Sequence, residues 1–219
     1  GEVGVTGGFG IWRSWLGDAE GPEYWRDMSV RAEGPAVREM QVAFAQNWQE
    51  AGGDFLPPEA FPELGARGAA RAGFVASTQN RFLSDARRMT LLTIAAAKRR
   101  LWISNSYFIP SDAISDMLLE KVKQGVDVRV LVPGRHHDIA PVHAAQRASY
   151  ARLLEGGVRI WEYELSMMHS KTMLVDEDLS VVGSTNMDPL ALSTSDECSL
   201  VVEDPALAGI PILAMTANA

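Results

Sequence analysis

The chain has 219 residues, 47% of them hydrophobic and 22% charged, which suits one large globular domain or two small ones. Its single cysteine, Cys198, excludes a disulfide framework and makes a reducing compartment the default, and no run of about 18 apolar residues could cross a bilayer. The net charge of -8 weighs against a nucleic-acid partner, which is met with Lys and Arg, and makes any membrane contact local rather than driven by overall charge.

In chain order, residues 1–10 read as a strand running into the glycine turn Gly7-Gly8-Phe9-Gly10. Residues 24–33 alternate like a second strand. Gly34-Pro35 opens a helix over 36–51, with Val37, Met40, Phe44 and Trp48 at helical spacing and Gly52-Gly53 as its stop. The Gly-, Pro- and Ala-rich stretch 53–73 reads as a linker. A helix over 81–99 and a strand over 101–106 follow. Ser111 caps a helix that ends at Gly125, and a buried strand covers 126–132. After a loop at 133–138, one helix covers 140–154, and strands follow at 158–163, 168–175, 179–183 and 197–202. Helices alternating with apolar strands predict an α/β fold, a mixed β-sheet flanked by helices. Residue 1 is not Met and residues 209–219 carry no charge and no helix stop, so a fragment at both ends is expected.

The chemistry concentrates in one hairpin. On a strand, His169 and Lys171 project to the same face, about 7 Å apart. Asp176-Glu177-Asp178 makes the turn, and the return strand delivers Gly183-Ser184-Thr185-Asn186 beside the first. An imidazole, an ammonium, a hydroxyl and a carboxamide then converge, a set that suits a phosphodiester. Lys171 would neutralise a phosphoryl oxygen, Ser184 and Asn186 would donate hydrogen bonds, and Gly183 would let the backbone come close. A single His on a strand is more often structural, and Asp176 is also an ordinary turn residue. No second His or Cys lies nearby at ligand spacing, so neither a metal nor another cofactor is expected. His136-His137 reads as a solvated loop at the pocket mouth. Trp12, Trp15, Leu16 and Phe55 could rim a site for acyl chains, or simply pack in the core.

The pattern His169-x-Lys171-x4-Asp176-x6-Gly183-Ser184-x-Asn186 resembles the HKD motif of the phospholipase D superfamily. The flanks Ser106-Tyr107-Phe108-Ile109-Pro110 and Leu153-Leu154-Glu155-Gly156-Gly157-Val158 are similar to the approach to the second motif of bacterial cardiolipin synthases. Trp25-Arg26-Asp27 and Glu33-Gly34-Pro35 resemble the stretch downstream of their first motif, and the first motif itself would lie upstream of Gly1. The resemblance implies an α-β-α sandwich. Residues 1–52 would be the end of a first repeat, 53–73 a linker, 74–207 a complete second repeat, and 208–219 a tail. It implies a phosphatidyltransferase working through a phosphohistidine. The first-half His would be the nucleophile and His169 the acid and base. Glu197 would hold His169, and Asp27 would hold the missing His. The implied partners are a phosphatidylglycerol-like phospholipid, a membrane surface, and the missing half or a homodimer. The implied place is the cytoplasmic side of a bacterial inner membrane. This chain by itself would then be inactive. Leu190-Ala191 stand where the family usually has Arg-Ser, Ser195 where it has Asn, and Gly10 where the first half often has Asn.

Three other functions share these residues: a hydrolytic phospholipase D, a phosphodiesterase acting on DNA, and an inactive half that only binds phosphate or lipid. The acidic balance and the cardiolipin synthase-like flanks disfavour DNA.

Overall fold

The structure is a computed structural model and describes residues 1–17, 19, 21–80 and 83–204. The tail expected at 208–219 lies outside the described residues.

The first segment makes a two-stranded antiparallel ribbon, β1 (Val3–Gly7) against β2 (Ser29–Glu33), with Val5 opposite Arg31. A 3-10 turn, Arg13–Trp15, lies in the connection. Gly34, at φ +93, turns the chain into α1 (Ala36–Glu50), and Gly52, at φ +87, ends it. Only Ala36 and Val37 of that helix are buried, and Phe44 stacks on Trp48 at the surface.

The rest forms a seven-stranded mixed sheet. Its strands are β3 (Arg71–Ser77), β4 (Arg100–Asn105), β5 (Asp127–Pro133), β6 (Arg159–Tyr163), β7 (Lys171–Val175), β8 (Leu179–Gly183) and β9 (Glu197–Glu203). Their order is β3-β9-β8-β7-β4-β5-β6. The pairs β4–β5 and β5–β6 are parallel, and every other pair is antiparallel. Helices α2 (Asp85–Ala96), α3 (Asp112–Lys123), α4 (Ala140–Ala148) and α5 (Tyr150–Glu155) cover it. Ser84 and Ser111 cap α2 and α3 by accepting from the N–H groups of Arg87 and Ile114. The core between helices and sheet holds Ile94, Leu101, Ile103, Ile114, Leu118, Val130 and Leu153, all but sealed from solvent. Each contributes about 1.5–3 kcal/mol by leaving water.

Two elements differ from the sequence expectation. Strand β3 begins at Arg71, inside the stretch read as linker. Its Gly and Ala content hides it, and pairing along its whole length with β9 makes it a strand. The single helix expected over 140–154 is broken at Ser149. The Ser149 N–H and hydroxyl both donate to the Gln146 carbonyl, at 3.1 and 2.7 Å, and so leave the helical ladder. The buried Gln146 side chain spans the break. Its Oε1 accepts from the Phe108 N–H at 2.9 Å and its Nε2 donates to the Tyr150 hydroxyl at 2.8 Å, which fixes the chain just beyond β4.

Candidate active site

His169 lies two residues before β7, outside the ladder. Its place is set by a different neighbour. The Arg26 N–H donates to the Met167 carbonyl at 2.8 Å, and the His169 N–H donates to the Arg26 carbonyl at 2.6 Å. This parallel bridge between residues 26 and 168 ties the segment before β2 to the segment before β7. Asp27 is thereby carried to the imidazole. Its Oδ2 lies 2.9 Å from His169 Nδ1 and also accepts from Trp15 Nε1 at 2.8 Å, while Oδ1 accepts from the Met28 N–H at 2.7 Å. Trp15 and Trp25 wall the ring at centroid distances of 5.2 and 5.1 Å, and Tyr107 stands edge-on at 6.2 Å.

Lys171 shares the pocket, as the two-residue spacing predicts. Its Nζ lies 2.8 Å from His169 Nδ1 and 2.9 Å from Nε2, and donates to the His169 carbonyl at 2.6 Å. Burial, the largest influence, pushes its pKa down to about 8 against the pull of Asp27, Glu197, Asp138 and Asp188. Its direct partners are the His169 ring and carbonyl, and the carboxylates act on it through space. Asn186 lines the same small cavity as Lys171. Ser106 Oγ donates to Asn186 Oδ1 at 2.7 Å, which leaves the amide N–H groups as donors.

The contact expected between Glu197 and His169 is not made. Glu197 instead accepts from the Ser184 hydroxyl, and Ser184 Oγ accepts from the Cys198 N–H at 3.0 Å. Burial, first, and then Asp188 raise the Glu197 pKa to about 7, although the Ser184 bond and Lys171 lower it. Asp27, expected to serve another histidine, serves this one. Both assignments were implied by the resemblance, which pairs each acid with the histidine of its own half, whereas the bridge at Arg26 carries Asp27 to His169.

The exchange has an internal symmetry. A Cβ on Gly7 would meet Met28 O and Ser29 Cα at 2.4 and 2.6 Å, and one on Gly183 would meet Cys198 O and Ser199 Cα at 2.2 and 2.6 Å. The Gly8 N–H donates to the Met28 carbonyl as the Ser184 N–H donates to the Cys198 carbonyl. So β1–β2 repeats β8–β9, Asp27 takes the place of Glu197, and Gly8 the place of Ser184. The two ribbons touch, with Thr6 Oγ1 at 3.4 Å from Cys198 Sγ.

Asp176 does not face the pocket. At φ +51 it closes the β7–β8 turn, and its carboxylate accepts from the N–H groups of Lys98, Arg99 and Arg100. Burial would raise its pKa, but those three donors and Arg99 outweigh it and hold the carboxyl below the usual range. It fixes the start of β4 against the hairpin.

The side chain of His137, expected in a solvated loop, is buried although the residue as a whole is only partly so. It stacks between Tyr107 and His143 at 5.5 and 5.2 Å, and its Nδ1 accepts from the Ile139 N–H. Burial lowers its pKa; His143 adds to this and Asp138 opposes it. Tyr107 donates to Asp138 Oδ2 at 2.7 Å, and burial first, with that bond, raises its pKa. Sequence reasoning missed Trp25, Asp138 and Asp188 as neighbours of Lys171 and His169, and no spacing signal marks them. A groove of about 600 Å3 between α2 and the β3 end of the sheet contains neither His169 nor Lys171.

A family described as cardiolipin synthase, PLD-like domain, matches residues 91–210. The chain is 35% identical over 191 residues to a cardiolipin synthase of Alkalihalophilus pseudofirmus, covering 86% of this chain and 38% of that protein. It is 35% identical over 211 residues to cardiolipin synthase A of Pseudomonas putida, covering 95% and 43%. It thus spans about two-fifths of the length of the curated relatives it matches. Its fold is similar to that of phosphatidylserine synthase from Haemophilus influenzae, with a TM-score of 0.69 at 12% identity over 93% of this chain and 56% of the other.

Proposed function

This chain belongs to the family of the cardiolipin synthase PLD-like domain, and from that premise we propose that it is part of a phospholipase D-type phosphatidyltransferase that makes cardiolipin. The observation that carries the reading is the exchanged pair of acids. Asp27 holds His169, while Glu197 sits across Lys171 bonded to Ser184 and, among the described contacts, to no imidazole. A second histidine, supplied with a first motif, would pair with Glu197 as His169 pairs with Asp27.

Asp27 on Nδ1 keeps a proton there and stabilises the imidazolium, so that Nε2 carries the proton that is given up in the first step and regained in the second. In the first step the other histidine attacks phosphorus. The P–O bond to the glycerol headgroup breaks, and the departing oxygen takes a proton from His169 Nε2. In the second step, a hydroxyl of another phosphatidylglycerol gives its proton to Nε2 and attacks phosphorus, releasing the first histidine. Two phosphatidylglycerols thus yield cardiolipin and glycerol. Lys171 and the Asn186 amide stabilise the phosphoryl oxygens throughout. Gly183 lets β9 pass close behind them, and Asp176 serves only the hairpin. We place this work at the cytoplasmic surface of a bacterial inner membrane, where such lipids lie.

The test is conversion of labelled phosphatidylglycerol in the presence of chelator, with the 219-residue chain and with a protein extended upstream by an H-x-K-x4-D motif. The extended protein should form cardiolipin and a phosphohistidine trapped by acid-free quench, and the 219-residue chain should not. His169→Ala in the extended protein should lose several orders of magnitude, and Asp27→Asn about 10³–10⁴-fold through the wrong tautomer. Phosphatidic acid as the main product would make it a hydrolase. Robust turnover by the monomeric 219-residue chain would remove the two-histidine mechanism.

A further inference from the structure

The connection between β1 and β2 carries the most exposed apolar cluster near the active site. Ile11 is fully exposed, Leu16 is 80% exposed, Trp12 70% and Phe9 57%. With Arg13 they line an open concavity of about 500 Å3. Four large apolar side chains within one short loop cost solubility, so such a cluster marks a contact surface. The base of the loop is not free. Trp15 Nε1 is bonded to Asp27, its ring lies edge-on to Phe9 at 6.2 Å and against His169 at 5.2 Å, and the Trp25 N–H donates to the Ser14 carbonyl at 2.7 Å. The same turn therefore presents apolar tips outward and holds the catalytic ring inward.

We propose that Phe9, Ile11, Trp12 and Leu16 insert into the acyl boundary of a phospholipid bilayer and seat the active site at the headgroup layer; this rests on the phosphatidyltransferase reading above. Two observations favour a bilayer over a protein groove. The base of the loop packs on His169 and Asp27 through Trp15, so whatever covers its exposed tips lies next to the place of the substrate's phosphodiester. Its composition, aromatic and aliphatic tips beside one Arg, is that of an interfacial anchor, whose apolar face sinks about 5–10 Å below the headgroups. That depth keeps His169, one ring away from the loop, near the phosphates. With a net charge of -8 on the chain and Arg13 as the one cation among residues 9–16, attachment is apolar rather than electrostatic.

The experiment is flotation of the 219-residue chain with vesicles of phosphatidylcholine alone and of an equal mixture with phosphatidylglycerol, at low and high salt. Both vesicles should carry the protein, with little effect of salt. Acyl-brominated lipid should quench tryptophan emission, and Trp12→Phe should remove most of that quenching. Ile11→Asp with Leu16→Asp should weaken partition about a hundredfold, since each side chain loses the transfer energy of a buried aliphatic group. Both positions are exposed, so the thermal melt should not move, and that control separates lost anchoring from misfolding. Equal flotation of wild type and double variant, absence of flotation by wild type, or a concentration-dependent dimer abolished by the same variant would overturn the proposal, the last by assigning the loop to a second copy. Partition is read without turnover. A chain that floats while its extended form transfers no phosphatidyl group would sink the functional reading and leave the anchor. An extended form that turns over vesicle lipid equally well with and without Ile11→Asp and Leu16→Asp would sink the anchor and leave the function.

Discussion

At the scale of single residues, the pocket works by holding charge where water would normally carry it. Lys171 is almost wholly buried and is kept charged by carboxylates acting through space, so its ammonium weakens as pH rises past about 8. Glu197 has the opposite problem. Its folded pKa, about 7, lies above the ordinary 4.5, so the folded chain binds that proton more tightly than the unfolded one. The stability this gives is complete below pH 4.5 and is lost as pH rises through 7. Glu197→Gln imitates the protonated form. It should melt with wild type at pH 4 and above it at pH 8, by about 1–2 kcal/mol once solvent screening of its exposed edge is allowed for. That is roughly 3–6 °C in a chain of this size, read by thermal denaturation at the two pH values. An unchanged difference across that range would mean that Glu197 does not titrate with folding. Lys171 and the return strand were legible from periodicity, and the two-residue spacing put His169 on the same side although it lies ahead of β7. The acid on His169 was not. Asp27 is brought by a two-residue bridge between distant segments, and no spacing in the sequence encodes it.

At the scale of elements, the glycines separate close packing from mere flexibility. A Cβ at Gly183 would drive into the backbone of β9, whereas a Cβ at Gly73, on the edge strand β3, would meet nothing within 4 Å. Gly183→Ala should therefore cost about 2–3 kcal/mol and displace Ser184 from Glu197. Gly73→Ala should be neutral or stabilising by about 0.5 kcal/mol. Urea denaturation of the two variants checks the contrast, and similar losses at both positions would defeat it. Local signals also explain which elements sequence could find. Ser111 and Gly125 bracket α3, and apolar runs mark β5 and β7. Strand β3 has weak intrinsic preference and exists by tertiary pairing, and the break at Ser149 depends on one hydroxyl choosing a carbonyl within its own helix.

At the scale of the molecule, the chain is two unequal parts joined by an exposed irregular stretch and clasped by more than it. The Phe74 N–H donates to Glu39 of α1, Thr6 meets Cys198, and Arg26 bridges residues 167 and 169. Limited trypsin cleavage after Arg67, in exposed chain without regular structure, should leave pieces 1–67 and 68–219 eluting together until denaturant is added. Separation without denaturant would show that the clasp is too weak to hold Asp27 in place. The clasp also sets an order in time. Asp27 and His169 are 142 residues apart, so a ribosome adding about 5–20 residues per second finishes the imidazole roughly 7–30 s after the carboxylate that orients it. An unfinished chain therefore carries Asp27 without the imidazole it orients, and the pocket cannot assemble until β7 has been made.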